Sequence, residues 1–231
     1  MGYSAALVGW RNSHPALPYI VPFAAILVFI AIRSHLPLAP RLEWPIQTLV
    51  LAALCFVCWP PELEKRPRYW PSSVCVGVAV FLIWVGPDVL IHGYRANLLF
   101  TNSLFGAPQS SIPPASQRDV WVLAWRMARA TFVVPVAEEL FWRAWLMRWL
   151  VNNDFLSVRL GTYAPLAFFA TALLFASEHG PYWDVGLVTG LIYNLWMIKT
   201  KSVADCILMH GITNGVLSWY VLANGNWQYW M

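Results

Sequence analysis

Charge is what this sequence has least of. Lys, Arg, Asp and Glu make up 11% of its 231 residues, whereas 59% are hydrophobic. Soluble globular domains carry about 25% charged and 45–50% apolar residues, so a soluble enzyme with a large core is excluded. Cysteine is scarce too: Cys55, Cys58, Cys75 and Cys206 all lie in apolar runs. Cys55 and Cys58 have the C-x-x-C spacing, but no second pair or nearby histidine joins them. Small buried hydrophobes are expected, not a metal or redox centre. Neither H-E-x-x-H nor G-x-S-x-G occurs, which counts against the usual membrane zincins and against a serine intramembrane protease. The basic residues are scattered over loop ends with no patch, so nucleic acid is not an expected partner. There is no inverted repeat of hydropathy, which weakens a transporter reading. The first apolar run, about 16–32, is too long for a signal h-region and lacks an A-x-A-like end; it reads as a first span.

The apolar runs themselves predict the fold class: all-α, a polytopic integral membrane helical bundle of about seven transmembrane helices at about 20 residues each. They fall near 16–33, 44–59, 73–93, 119–151, 163–178, 184–198 and 202–222, with a Pro-rich turn (Pro37, Pro40) after the first. Trp44, Trp59, Trp70, Trp121, Trp183 and Trp230 stand near run ends, where indoles favour the membrane interface. Ser116-Gln-Arg-Asp119 and Ser202-Val-Ala-Asp205 have capping-box form and should each open a helix. Pro135 should kink or divide the long fourth segment, whose Arg126 and Arg129 mark its first part as interfacial or facing protein. Gly186, Gly190 and Asn194 recur every fourth residue, a stripe suited to close helix packing. Lys/Arg bias places Arg11, Lys65, Arg66, Arg68, Arg148, Arg159, Lys199 and Lys201 in the cytoplasm with the N-terminus, leaving Arg33, Arg41, Arg95 and Arg118 outside.

Against this apolar background, Val133 to Arg143 sets two glutamates and an arginine inside a span. Each ionisable group at mid-bilayer costs roughly 2.5–3.5 kcal/mol on insertion scales, so three cost on the order of 7–10 before pairing. Glu139 and Arg143 are four apart in the favourable order and should form an ion pair. Glu138 is turned about 100° away and has no obvious partner. Two further segments carry polar residues at helical spacing: His179, beside Glu178 and four after Phe175, and His210 with Asn214 on one face. Intramembrane polar groups face a bundle interior or a wet cavity, so a carboxylate, two imidazoles and an amide converging there form a plausible hydrolytic set. His14, His35 and His92 sit by loops and carry no assigned role. Asp205 reads as a helix-start charge.

Glu-Glu-x-x-x-Arg (138–143), Phe-x-x-x-His (175–179) and His-x-x-x-Asn (210–214), in that order on separate helices, resemble the CPBP or ABI family. These are the type II CAAX prenyl endopeptidases, Ras-converting enzymes and bacterial relatives, with short exosortase-associated members similar in size. The resemblance covers about 119–222, a CAAX-protease-like core between N-terminal helices and loop (1–118) and a short tail (223–231). Ala144 departs from a common Gly and Cys206 from a common Pro or small residue; neither is a motif position. The resemblance implies an intramembrane endopeptidase acting on a membrane-associated or lipid-modified polypeptide. Glu138 with His179 would activate water, His210 and Asn214 would bind the oxyanion, and Glu139 with Arg143 would support them. No cofactor is required by this reading; zinc is an alternative, with Glu138, His179 and His210 as its ligands. The resemblance to bacterial members points to a bacterial inner membrane with a cytoplasmic N-terminus. A non-catalytic scaffold or proton-coupled carrier is the competing class. Oligomeric state is open.

Overall fold

The computed structural model describes residues 13–33, 35 and 38–231; Arg11 and Pro37 lie outside the described residues. Those residues form seven helices longer than a few turns and no strand: α1 (Leu17–Ile32), α2 (Pro40–Cys58), α3 (Trp70–Leu90), α4 (Val120–Trp149), α5 (Pro165–Ser177), α6 (Trp183–Thr200) and α7 (Val203–Asn224). Proline stands in the first turn of α1, α2, α3 and α5, where its missing N–H has no intrahelical partner to lose. Lys201 and Gly225 adopt the left-handed conformation that closes α6 and α7. α2, α3, α4 and α7 are long and apolar enough to cross a membrane, whereas α1 and α5 are apolar but shorter. The 30 residues of α4 extend ~45 Å, well beyond the ~30 Å of a hydrocarbon core. Outward-facing Phe56, Leu82, Leu90 and Phe132 are 59–83% exposed. That apolar belt suits lipid and would be a liability in water.

Small residues set how closely the helices approach. A Cβ on Gly77 of α3 would come within 2.5 Å of the Met209 carbonyl oxygen of α7. The expected stripe on α6 packs against α5: Gly190 faces the Ala172 backbone, where a Cβ would sit at 3.1 Å, and Asn194 Nδ2 donates to the Phe168 carbonyl at 2.8 Å. Below α7, Asp205 is fully buried and accepts from the Arg68 and Tyr69 amides and from the Ser73 hydroxyl at 2.8–2.9 Å. It ties the loop before α3 to the start of α7, a role beyond that of a helix-start charge.

Four expectations change. Ser116 does not cap α4; it ends a short turn, and Asp119 is itself the cap, accepting from the Trp121 amide at 3.1 Å. Ser202 does cap α7, through the Asp205 amide. Pro135 neither divides nor ends α4, because a wide π turn over Arg129–Val133 absorbs it. Trp44 and Trp230 are 3% and 2% exposed rather than interfacial, and arginine guanidinium groups lie over both rings. Cys55, Cys58 and Cys206 are buried as expected, but Cys75 is exposed.

Candidate active site

α4 carries two stretches of π helix, Arg129–Val133 and Leu140–Leu146, on either side of Val134–Glu139. Such turns gather at functional sites because they re-aim side chains without ending the helix. Here they bracket both glutamates. The Val134 amide bonds back to the Arg129 carbonyl, five residues away. The carbonyl in line with the absent Pro135 N–H is therefore that of Ala130. Asn214 Nδ2 of α7 donates to it at 3.0 Å. One amide hydrogen of Asn214 is thus committed to holding α7 against the proline turn. α7 comes this close because position 211 is glycine: a Cβ there would lie 2.8 Å from the Thr131 carbonyl oxygen.

The supporting pair forms. Arg143 Nη1 donates to Glu139 Oε1 at 3.1 Å, with both side chains fully buried. The rest of the guanidinium lies over the rings of Phe175 (4.5 Å) and Tyr193 (5.1 Å), which take the place of acceptors. Glu139 Oε1 also accepts from His210 Nδ1 at 2.8 Å. A carboxylate only accepts, so the His210 proton sits on Nδ1 and Nε2 faces away from Glu139. It faces Glu138, whose Oε2 is 3.9 Å distant. That oxygen is buried and has no hydrogen-bond partner. A gap of 3.9 Å exceeds a direct hydrogen bond, and one water molecule can touch both atoms across it.

His179 terminates α5. Its Nδ1 donates to the Phe175 carbonyl at 2.7 Å, which leaves Nε2 as a lone-pair acceptor. Phe175 and Trp84 pack on its ring at 4.6 and 5.2 Å. Glu138, His179, His210 and Asn214 all line one cavity of about 380 Å³. Glu178 is exposed and also lines that cavity. Among the described residues no three His, Cys, Asp or Glu side chains converge as a metal site, so Glu138, His179 and His210 do not fit a zinc ion as placed.

Residues 120–216 match the family model described as type II CAAX prenyl endopeptidase Rce1-like. Over these residues the chain is similar to that family. The match contains all three motifs, and the family resemblance read from them is borne out. No curated protein and no solved structure matches the chain. Four of its helices are long and apolar enough to cross a membrane, and with the similarity of residues 120–216 to a membrane-protease family they make this an integral membrane protein.

Two groups beside the Rce1-like motifs escaped sequence reasoning. Tyr193 bridges α6 to α7 through its hydroxyl on Thr213 (3.0 Å), and its ring lies 5.1 Å from His210. Arg33, Arg126, Arg129, Glu43 and Trp44 line the other end of the cavity. Arg126 and Arg129 are three apart and share a helix face, the signal that could have joined them to the site.

Proposed function

We propose that the protein is an intramembrane endopeptidase that hydrolyses a peptide bond of a membrane-associated or lipid-modified polypeptide. The observation that carries this reading is Glu138 Oε2, buried, unpartnered, and 3.9 Å from an imidazole nitrogen whose ring is fixed from behind by Glu139. Water held between Glu138 and His210 gives a proton to the Glu138 carboxylate as its oxygen attacks the scissile carbonyl carbon. His179 Nε2 accepts the second O–H of that water and orients it. The carbonyl electrons move onto oxygen, and His210, taken as an imidazolium before the water binds, donates its Nε2–H first to the water oxygen and then to that oxyanion. The Glu139 carboxylate beneath the ring stabilises the imidazolium, as a buried carboxylate does in hydrolytic triads. Asn214, locked to Ala130, keeps α7 and its histidine in register; its second amide hydrogen is the further oxyanion donor. Collapse of the tetrahedral adduct breaks the C–N bond, and Glu138 returns its proton to the leaving amine. The N-terminus is cytoplasmic in this reading, by the Lys/Arg bias of the loops, in a bacterial inner membrane.

Single-turnover hydrolysis of a synthetic peptide library by purified protein in ¹⁸O-labelled water tests the roles. New carboxyl groups should carry ¹⁸O from the first turnover, and Glu138→Gln should produce none. Unlabelled oxygen in the first turnover would make Glu138 the nucleophile instead. Undiminished cleavage by Glu138→Gln would remove it from the chemistry.

A further inference from the structure

α4 and α7 each line two separate spaces. On α4, Ala130, Val134 and Glu138 recur every fourth residue along the cavity described above, whereas Phe132 and Val136 line a second pocket. On α7, His210 and Asn214 face the first cavity, and Ala204, Leu208 and Ile212 face the second pocket. The two spaces therefore lie back to back across the contact of Gly211 with Thr131. The second pocket holds about 490 Å³, within the usual range for a small-molecule site. Cys55, Phe56 and Trp59 of α2 form its third wall. Phe56 and Phe132 are both exposed members of the apolar belt, so the pocket opens toward lipid. Its charge is confined to one end. Lys65 enters from the loop between α2 and α3, which Asp205 ties to the start of α7. The acidic side chains of that loop are engaged elsewhere, Glu64 with Arg68 and Glu62 with the Tyr19 hydroxyl. Among the described residues no carboxylate pairs with Lys65 or Arg66. Trp59, Tyr69 and Trp70 flank the same loop, the residue types that mark headgroup level.

We propose that this pocket binds an anionic phospholipid from the leaflet on its basic side, with the phosphate on Lys65 and one acyl chain between α2, α4 and α7. From Ala204 to Ile212 its wall follows α7 for about 12 Å, less than half of the ~30 Å hydrocarbon core. The depth is that of a single leaflet. An unpaired cation at headgroup level above an apolar slot of that depth is complementary to a lipid with a negative head and a fatty tail. A lipid anchor on a substrate is the poorer fit, because an anchor seated here lies across the α4–α7 contact from Glu138. Thr131 and Gly211 line the pocket, so a bound chain packs against the contact that sets the register of His210 and Asn214. The site does not depend on the hydrolytic reading of Glu138.

The test uses the purified full chain, delipidated in dodecylmaltoside micelles, with bound lipid counted by native mass spectrometry. It is titrated with palmitoyl-oleoyl phosphatidylglycerol, with phosphatidylcholine carrying the same chains, and with a farnesylated peptide. The first phosphatidylglycerol should bind about fivefold tighter than phosphatidylcholine, the contribution of one basic residue near an anionic headgroup. Lys65→Gln should erase that preference and Lys65→Arg should keep it; the side chain is exposed, so neither change threatens the fold. Leu208→Trp, which fills the pocket, should remove the tight site for both phospholipids. Phosphatidylglycerol should raise the thermal midpoint of the native chain and leave that of Leu208→Trp unchanged. Equal affinity for the two phospholipids, or a preference that survives Lys65→Gln and Leu208→Trp, would overturn the site. So would a pocket that holds detergent alone, with no saturable phospholipid binding. Saturable binding of the farnesylated peptide that Leu208→Trp abolishes and phosphatidylglycerol cannot displace would also overturn it, in favour of a substrate anchor. None of these readouts involves turnover, so they stand or fall separately from cleavage.

Discussion

The two ends of the cavity are built alike with opposite signs. At one end the structural partners are Glu139, Arg143 and His210, and the group left over is the Glu138 carboxylate. At the other, Glu43 pairs with Arg33, Gln47 accepts from Arg129, and Arg126 reaches Ser111 Oγ and an oxygen of Met231. Each end therefore uses most of its charge to hold helices together, and at the first the Glu138 carboxylate is left facing the cavity. Buried charges are costly unless paired, so the unpaired one is where function is to be sought. Adjacent residues of the same type, Glu138 and Glu139, divide these duties between them.

The largest expected effect breaks that division. Glu138→Gln should lower cleavage by about 10²–10⁴-fold, the usual worth of a positioned general base. Its thermal midpoint should stay the same or rise, because the substitution removes a buried carboxylate that lacks a partner. Glu139→Gln should do the reverse to stability. It leaves Arg143 buried without a counter-charge, a change that typically costs about 3–5 kcal/mol. Melting curves of the two variants in one detergent decide this, and equal midpoints would dissolve the contrast.

Gly211→Ala sharpens the comparison from the helix side. A Cβ 2.8 Å from the Thr131 carbonyl oxygen must push α7 away from α4, at about 1–3 kcal/mol of overpacking. It should also move His210 off Glu139 and Asn214 off Ala130, so activity should fall further than stability. Gly190→Ala, with a 3.1 Å approach to the Ala172 backbone at a contact where neither residue lines the cavity, should reduce stability without that excess loss of activity.

The smallest effect lies at the start of α4. The Arg41 guanidinium, hydrogen-bonded at 2.6 Å, holds the Asp119 carboxyl below its usual range. A carboxyl with its folded-state pKa depressed stabilises the fold above its unfolded pKa of about 3.9, and the contribution is lost as pH falls through the lower folded value. Arg41 is exposed and Asp119 only partly buried, so solvent screens the pair and the effect is modest. Asp119→Asn should lower the thermal midpoint slightly at pH 7 and leave it unchanged at the acid end, so that the acid arm of the profile flattens by that same small amount.

Much of the carboxylate end was legible because it depends on local spacing. Glu139 with Arg143, and His210 with Asn214, are i,i+4 pairs, and Gly186, Gly190 and Asn194 form a stripe whatever they pack against. The arginine end was not, since it needs α1, α2 and α4 brought together around Trp44. Trp44 and Trp230 looked interfacial by position, but guanidinium groups over their faces draw them inside. The attachment of Asn214 to Ala130 depends on a one-residue register change in the π turn before Pro135, which the proline alone does not disclose. Asp205 likewise found partners 132–137 residues away.

The central claim is that Glu138 is the water-activating base of a peptide-bond hydrolase. It is tested most directly by comparing protein termini in membranes from cells expressing native protein or Glu138→Gln at matched levels. The account predicts new C-termini in membrane-associated polypeptides that are present with the native protein and absent with the variant. Identical termini in both, with the variant folded and its cellular role intact, would contradict it and leave a non-catalytic membrane scaffold or carrier.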